Sequence, residues 1–186
     1  GGNFSEKRVP FLIKKGTIET LPLGGFFFIQ SLSPLCYTLP MTQSEALDIL
    51  KTGANVFLTG EPGAGKTYTI RAYIDYLQER GVNPAITAST GIAATHVHGM
   101  TIHSWSGIGI RKHLTEYDLD QIASNEYVTR RVNSARVLVI DEISMLSGPM
   151  LNMVNQVCKE IKKSSEPFGG LQVILVGDFF QLPPIV

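Results

Sequence analysis

The chain has 186 residues, enough for one domain with a substantial core and a small appendage. Its 44% hydrophobic and 17% charged residues are ordinary for a soluble globular protein. Net charge is zero; the first 40 residues carry four Lys and Arg and two Asp and Glu, leaving 12 basic and 14 acidic residues after them. A nucleic-acid partner therefore has to be held by a local groove and not by a basic surface.

The first 40 residues read as an appendage that is strand-forming in part. They open on Gly1-Gly2, which suggests a processed end or an expression scar, and hold four of the ten prolines. The apolar run Phe26-Phe27-Phe28-Ile29 is far too short to span a membrane. A mixed segment separates it from the basic residues, unlike a signal peptide. Cys36 and Cys158 lie far apart without metal-ligand spacing, which fits reduced thiols in an intracellular protein.

From Thr42 the pattern becomes regular. Thr42-Gln43-Ser44-Glu45 has capping-box spacing and predicts a helix to about Lys51, ended by Gly53. Val56–Thr59 reads as a short apolar strand. After the loop 60–65, Ile70, Tyr73, Ile74 and Leu77 recur at helical spacing until Gly81. Residues 85–88, 137–140 and 173–176 read as further buried strands. Met150, Val154, Val157, Cys158 and Ile161 share one face of another helix, a stripe that reads as core. Strands alternating with helices imply an α/β fold with a parallel sheet covered by helices on both faces.

Gly60-Glu61-Pro62-Gly63-Ala64-Gly65-Lys66-Thr67 fits the Walker A pattern of a P-loop NTPase, between strand and helix as its mechanism requires. Glycines let the backbone curl so that successive N–H groups face phosphate oxygens. The helix N-terminus adds its dipole. Lys66 is expected on the β- and γ-phosphates and the Thr67 hydroxyl on magnesium. The nucleotide-binding set of this loop is Gly60, Gly63, Ala64, Gly65, Lys66, Thr67 and Tyr68, with ATP and Mg2+ as the ligands.

Val137-Leu138-Val139-Ile140-Asp141-Glu142 is a buried strand ending in two carboxylates. Such a pair often only caps the next helix, but with a Walker A loop it reads as Walker B. Asp141 is then the magnesium ligand, through water, and Glu142 the base that orients and deprotonates the attacking water. The last strand leads into Gly177-Asp178-Phe179-Phe180-Gln181-Leu182-Pro183-Pro184. The Gln181 amide can donate to a γ-phosphate oxygen and accept from water, which suits a γ-phosphate sensor; a solvent-facing loop glutamine is the alternative.

That last string resembles motif III of the Pif-type (petite integration frequency) DNA helicases of superfamily one. Ala88-Ser89-Thr90-Gly91-Ile92-Ala93-Ala94 is similar to their motif Ia, and the segment from Thr101-Ile102-His103-Ser104-Trp105 to Gly109 resembles the stretch that follows. Asp141-Glu142-Ile143-Ser144-Met145-Leu146 resembles motif II, and Gln43 fits the family's adenine-reading glutamine. The likeness runs from Met41 to the C-terminus.

The resemblance implies a RecA-like first motor domain over residues 41–186, driven by ATP 5′ to 3′ along single-stranded DNA. It leaves Lys66, Thr67, Asp141, Glu142 and Gln181 in the roles above, with Lys66, Glu142 and Gln181 as the catalytic group. It assigns the floor of the strand groove to motif Ia and its follower: Ser89, Thr90, Gly91, His103, Ser104 and Trp105. Hydroxyls and N–H groups after a strand can hold phosphates. His103 and Trp105 are candidate stacking or backbone contacts, Trp105 being equally a core aromatic. His96 and His98 read as surface or packing residues, since no third metal ligand is evident.

Such helicases need a second motor domain of the same protein to close the ATP site and bring arginine fingers, worth roughly 10³–10⁵ in turnover. With the chain stopping at Val186, the expectation is slow ATP hydrolysis and no unwinding by these residues alone. A monomer with no membrane partner is expected, in the cytoplasm or nucleoid of a bacterium, or the nucleus or mitochondrion of a eukaryote. Two other classes stay open: a non-helicase P-loop ATPase, and a non-catalytic module that binds nucleotide or DNA.

Overall fold

Along each central strand, alternate apolar residues go to opposite faces of one sheet, and both faces are covered. The structure, a computed structural model, describes residues 41–178 in full and the backbone of three strands ahead of them. Those are β1 (Leu12–Lys15), β2 (Thr17–Glu19) and β3 (Phe28–Gln30). The expected sensor Gln181 and Cys36 lie outside the described residues.

The remaining elements follow in chain order. They are α1 (Gln43–Lys51), β4 (Val56–Thr59), α2 (Lys66–Gln78), β5 (Ala85–Ala88), α3 (Gly91–His96), β6 (Met100–Thr101) and α4 (Ile102–Ser106). Then come α5 (Glu116–Ser124), α6 (Glu126–Ser134), β7 (Val137–Asp141), α7 (Gly148–Lys162) and β8 (Gln172–Gly177).

The main sheet has the order β1-β4-β8-β7-β5-β6. Strands β4, β8, β7, β5 and β6 are parallel, as the alternation of strands and helices predicts. Strand β1 departs from that pattern by adding antiparallel to β4, with Leu12 opposite Thr59. It occupies hydrogen-bonding groups that the edge of β4 would otherwise present. Strands β2 and β3 form a separate antiparallel pair.

Val56, Leu58, Val137, Val139, Ile174 and Val176 pack with Leu47 and Leu50 of α1 and Ile70, Tyr73 and Leu77 of α2. Phe57, Leu138, Ile140, Val173 and Leu175 face the other way, against α4 to α7. The predicted stripe on α7 is there: Val154, Val157, Cys158 and Ile161 are buried, and Met150 packs beside them. The capping box predicted at Thr42 is formed, Thr42 N–H donating to Glu45 Oε2 at 2.7 Å. Gly53 follows that helix with φ +78°.

Gln172, at the start of β8, ties the α1–α2 layer to the sheet. Its amide donates to Leu50 O (3.0 Å) and Ala54 O (2.9 Å) and accepts from the Tyr73 hydroxyl (2.8 Å). Parallel pairing brings the C-terminal ends of the strands together, with Thr59 beside Gly177 and Ala88 beside Asp141. Ligand chemistry in open α/β sheets collects at that edge.

Candidate active site

Beyond β4 the chain turns through Gly63 (φ +79°) and Gly65 (φ +89°) into the first turn of α2. Glycine is needed twice over at residue 65. Its backbone is left-handed, and a Cβ there would lie 2.0 Å from Nε2 of Gln43. The glutamine expected to read adenine is therefore buried directly against the phosphate loop. The Lys66 ammonium donates to the loop's own carbonyls, Gly60 O at 2.6 Å and Glu61 O at 3.1 Å. Ala64 is buried, while Thr67 and Tyr68 face outward.

Asp141 ends β7, and Thr67 and Asp141 line the same small crevice of about 30 Å3 between α2 and the sheet. Burial raises the Asp141 carboxyl above its ordinary value, opposed by the Glu142 N–H and by the charges of Lys66 and His96. That N–H donates to Asp141 Oδ1 at 2.9 Å. Glu142 is held in the left-handed region (φ +52°, ψ +44°), which costs a non-glycine residue of order 1–3 kcal/mol. Burial and the neighbouring Asp141 charge also raise its carboxyl, Lys66 opposes them, and Asp178 adds to the rise. Glu142 thus sits in the fields of Asp141, Lys66 and Asp178, and Asp141 in that of Lys66, at one end of the sheet.

Magnesium binds through one or two carboxylates, hydroxyls, waters and substrate phosphates, not through an all-protein cage. Thr67 and Asp141 on one crevice fit that chemistry. No cluster of three or more His, Cys, Asp or Glu suited to a metal occurs among the described residues.

Beside this site lies a groove of about 610 Å3. Ser89, Gly91, Thr101, His103 and Ser104 line it, from the segments expected to hold a strand. The buried Ser89 Oγ has no hydrogen-bond partner, while its N–H donates to Asp141 O at 3.1 Å. One residue thus touches both the groove and the Walker B strand. Thr90 caps α3 by accepting from Ala93 N–H (3.2 Å), so its hydroxyl is engaged within the helix. Burial lowers the His103 pKa and favours the neutral imidazole.

Of the two readings of Trp105 the core aromatic holds and the stacking contact is corrected: its side chain is only 3% exposed and packs in the core with Ile102 and Ile108. Position 105 falls on the inward face of α4, where a large apolar ring is better buried than wet.

The family model described as PIF1-like helicase matches residues 40–186. The chain belongs to the PIF1-like helicase family. It is 59% identical over 145 residues to the ATP-dependent DNA helicase Pif1 of Psychrobacter sp. (strain PRwf-1), covering 78% of this chain and 22% of that protein. The crystal structure of Pif1 helicase from Candida albicans superposes with a TM-score of 0.73 at 39% identity, over 77% of this chain and 33% of that one. The Pif1 helicase from Bacteroides in complex with ADP-AlF3 and ssDNA superposes with a TM-score of 0.68 at 35% identity, over 77% and 33%. The chain spans about a fifth of the length of the curated relative and a third of the solved chains.

Several residues that sequence reasoning assigned no role stand close to these PIF1-like motifs. Asp178, directly after β8, is 4% exposed and raises Glu142. Its position inside the string that carried the family likeness was the available signal. Arg131 on α6 donates from Nε to Trp105 O (2.7 Å) and from Nη2 to Ser104 O, closing the end of α4. No motif marks that arginine. Gly177 lets β8 pass the turn after Glu142, where an added Cβ would meet Ile143 Cγ2 at 2.8 Å.

Proposed function

We propose that these residues are the ATP-binding and hydrolysing first motor domain of an ATP-dependent DNA helicase that moves 5′ to 3′ on single-stranded DNA. The observation that carries it is the convergence of Lys66, Thr67, Asp141 and Glu142 at one strand edge, beside a groove whose lining residue Ser89 donates its N–H to Asp141 O. A triphosphate on the glycine loop draws Lys66 from the Gly60 and Glu61 carbonyls to the β- and γ-phosphates. Thr67 and, through water, Asp141 would hold a magnesium ion, which would neutralise charge on those phosphates.

Glu142 orients a water and takes its proton as the water oxygen bonds to the γ-phosphorus and the bond to the β-phosphate oxygen breaks. Gln181 reads the γ-phosphate. Gln43, packed on Gly65, contacts the adenine and transmits its presence to the loop. A strand lies in the groove on Ser89, Gly91, His103 and Ser104, and its arrival shifts Asp141 through the Ser89 N–H. A second motor domain of the same protein supplies the arginine fingers, in a monomer.

The test compares ATP hydrolysis with and without single-stranded DNA, in this chain and in one extended to the length of its relatives. The expected result is slow turnover and no strand separation here, and DNA-stimulated turnover in the longer chain. Unwinding by these 186 residues alone, or an extended chain indifferent to DNA, contradicts the reading.

A further inference from the structure

Part of the groove is walled by the loop between α4 and α5, through Gly109, Ile110, Arg111 and Lys112. Ile110 is 100% exposed, although Ile108 two residues earlier is completely buried. The loop between them is tightly held. Gly107 (φ +75°) and Gly109 (φ +62°) make its bends, and Gly109 N–H donates to His103 O at 3.2 Å. Arg111 reaches back with Nη1 to Ile108 O (3.0 Å) and across with Nε to Asp118 Oδ1 (2.9 Å). Asp118 is fixed in turn by the Thr115 N–H (3.0 Å) and hydroxyl (2.7 Å) as the capping box of α5. Hydrogen bonds from Thr115 and Arg111 hold its carboxyl down at about 2, so Asp118 is ionised at neutral pH.

A loop anchored on both sides of its tip keeps a branched aliphatic group in water at the mouth of a groove that also offers the hydroxyls of Ser89, Thr101, Ser104 and Ser147 and the apolar side chains of Pro149, Met150 and Met153. A single strand presents both kinds of partner, phosphates for the hydroxyls and Lys112, and base faces for an apolar tip. We propose that Ile110 packs against an unstacked base of the strand in this groove, with Arg111 as the positioning residue that holds it there. The inference rests on the strand-binding reading above.

The experiment measures binding of a fluorescent oligothymidine and of an abasic oligomer of equal length. Ile110→Ala should weaken oligothymidine binding roughly three- to tenfold and leave the abasic oligomer unchanged. Arg111→Ala should show the same selective loss, with partial recovery in Arg111→Lys. Tyr127→Ala, which removes another exposed apolar side chain outside the groove lining, should bind both as wild type does. If Ile110→Ala matches wild type on both oligomers, or loses both equally, the base contact is wrong. An unchanged Arg111→Ala overturns the positioning role; should that variant fail to fold, Ile110→Ala still decides the base contact. Wild type binding neither oligomer removes the strand reading itself, and this inference with it.

Discussion

At the nucleotide end of the sheet, function is made by backbone: two left-handed glycines, strand ends in register and a strained Glu142 aim the groups. In the groove lined by Ser89, His103 and Ser104 it is made by side chains that hold other backbone in place, Arg131 on the end of α4 and Arg111 on the loop beyond it. The first kind of device needs particular residues at fixed spacing. The second needs only a long donor arriving from a distant helix. Losing a backbone device should therefore cost function outright, and losing a side-chain tether should cost it by degrees.

The largest effect is expected where backbone and chemistry coincide. Glu142→Gln should lower ATP turnover by about 10²–10⁴ while leaving nucleotide binding near wild type, read by phosphate release and by a fluorescent nucleotide. Equal loss of both would make Glu142 a structural residue. Gly65→Ala comes next. Its methyl group meets the Gln43 amide in a backbone region costing about 1–2 kcal/mol for an L-residue, so affinity should fall at least about tenfold. The double variant with Gln43→Ala should recover part of that loss by removing the clash.

A smaller change is expected at the tether. Arg131→Ala leaves the Ser104 and Trp105 carbonyls without this donor, at a cost of roughly 1–3 kcal/mol seen as a lower melting temperature. Strand binding should weaken while nucleotide binding holds; loss of both would mean the two regions are not separable. The smallest effect belongs to Asp118. Its folded carboxyl lies near 2 against an ordinary 3.8, so its stabilising contribution is full above about pH 4 and fades as pH falls towards 2. Melting curves of wild type and Asp118→Asn should differ at pH 6 and converge near pH 2; a constant gap would show that the charge is not what matters.

The same contrast decides what could be read without a structure. The central strands and α1, α2 and α7 announce themselves because their apolar residues repeat at the spacing of the buried face, and the phosphate loop because only glycines permit it. Helices α5 and α6 were not anticipated. Ile122, Val128 and Val132 are their only buried side chains, and the remaining positions are partly or largely wet, so no stripe stands out. Trp105 was ambiguous because a short helix offers too few residues to show which face is inward. Arg131 was invisible because its partners are carbonyls some 26 residues away, which no motif encodes. Strand formation in the first 40 residues was legible, but the antiparallel pairing of β1 with β4 was not, since Leu12–Lys15 has no alternation to mark it.

The most direct measurement is equilibrium binding of a fluorescent ATP analogue to this chain, with and without magnesium, in wild type, Lys66→Ala and Asp141→Asn. Wild type should bind more tightly with magnesium, Asp141→Asn should lose most of that gain, and Lys66→Ala should bind at least about tenfold more weakly under both conditions. Equal binding by all three proteins, or none by wild type, would contradict the assignment of this strand edge as a magnesium-nucleotide site.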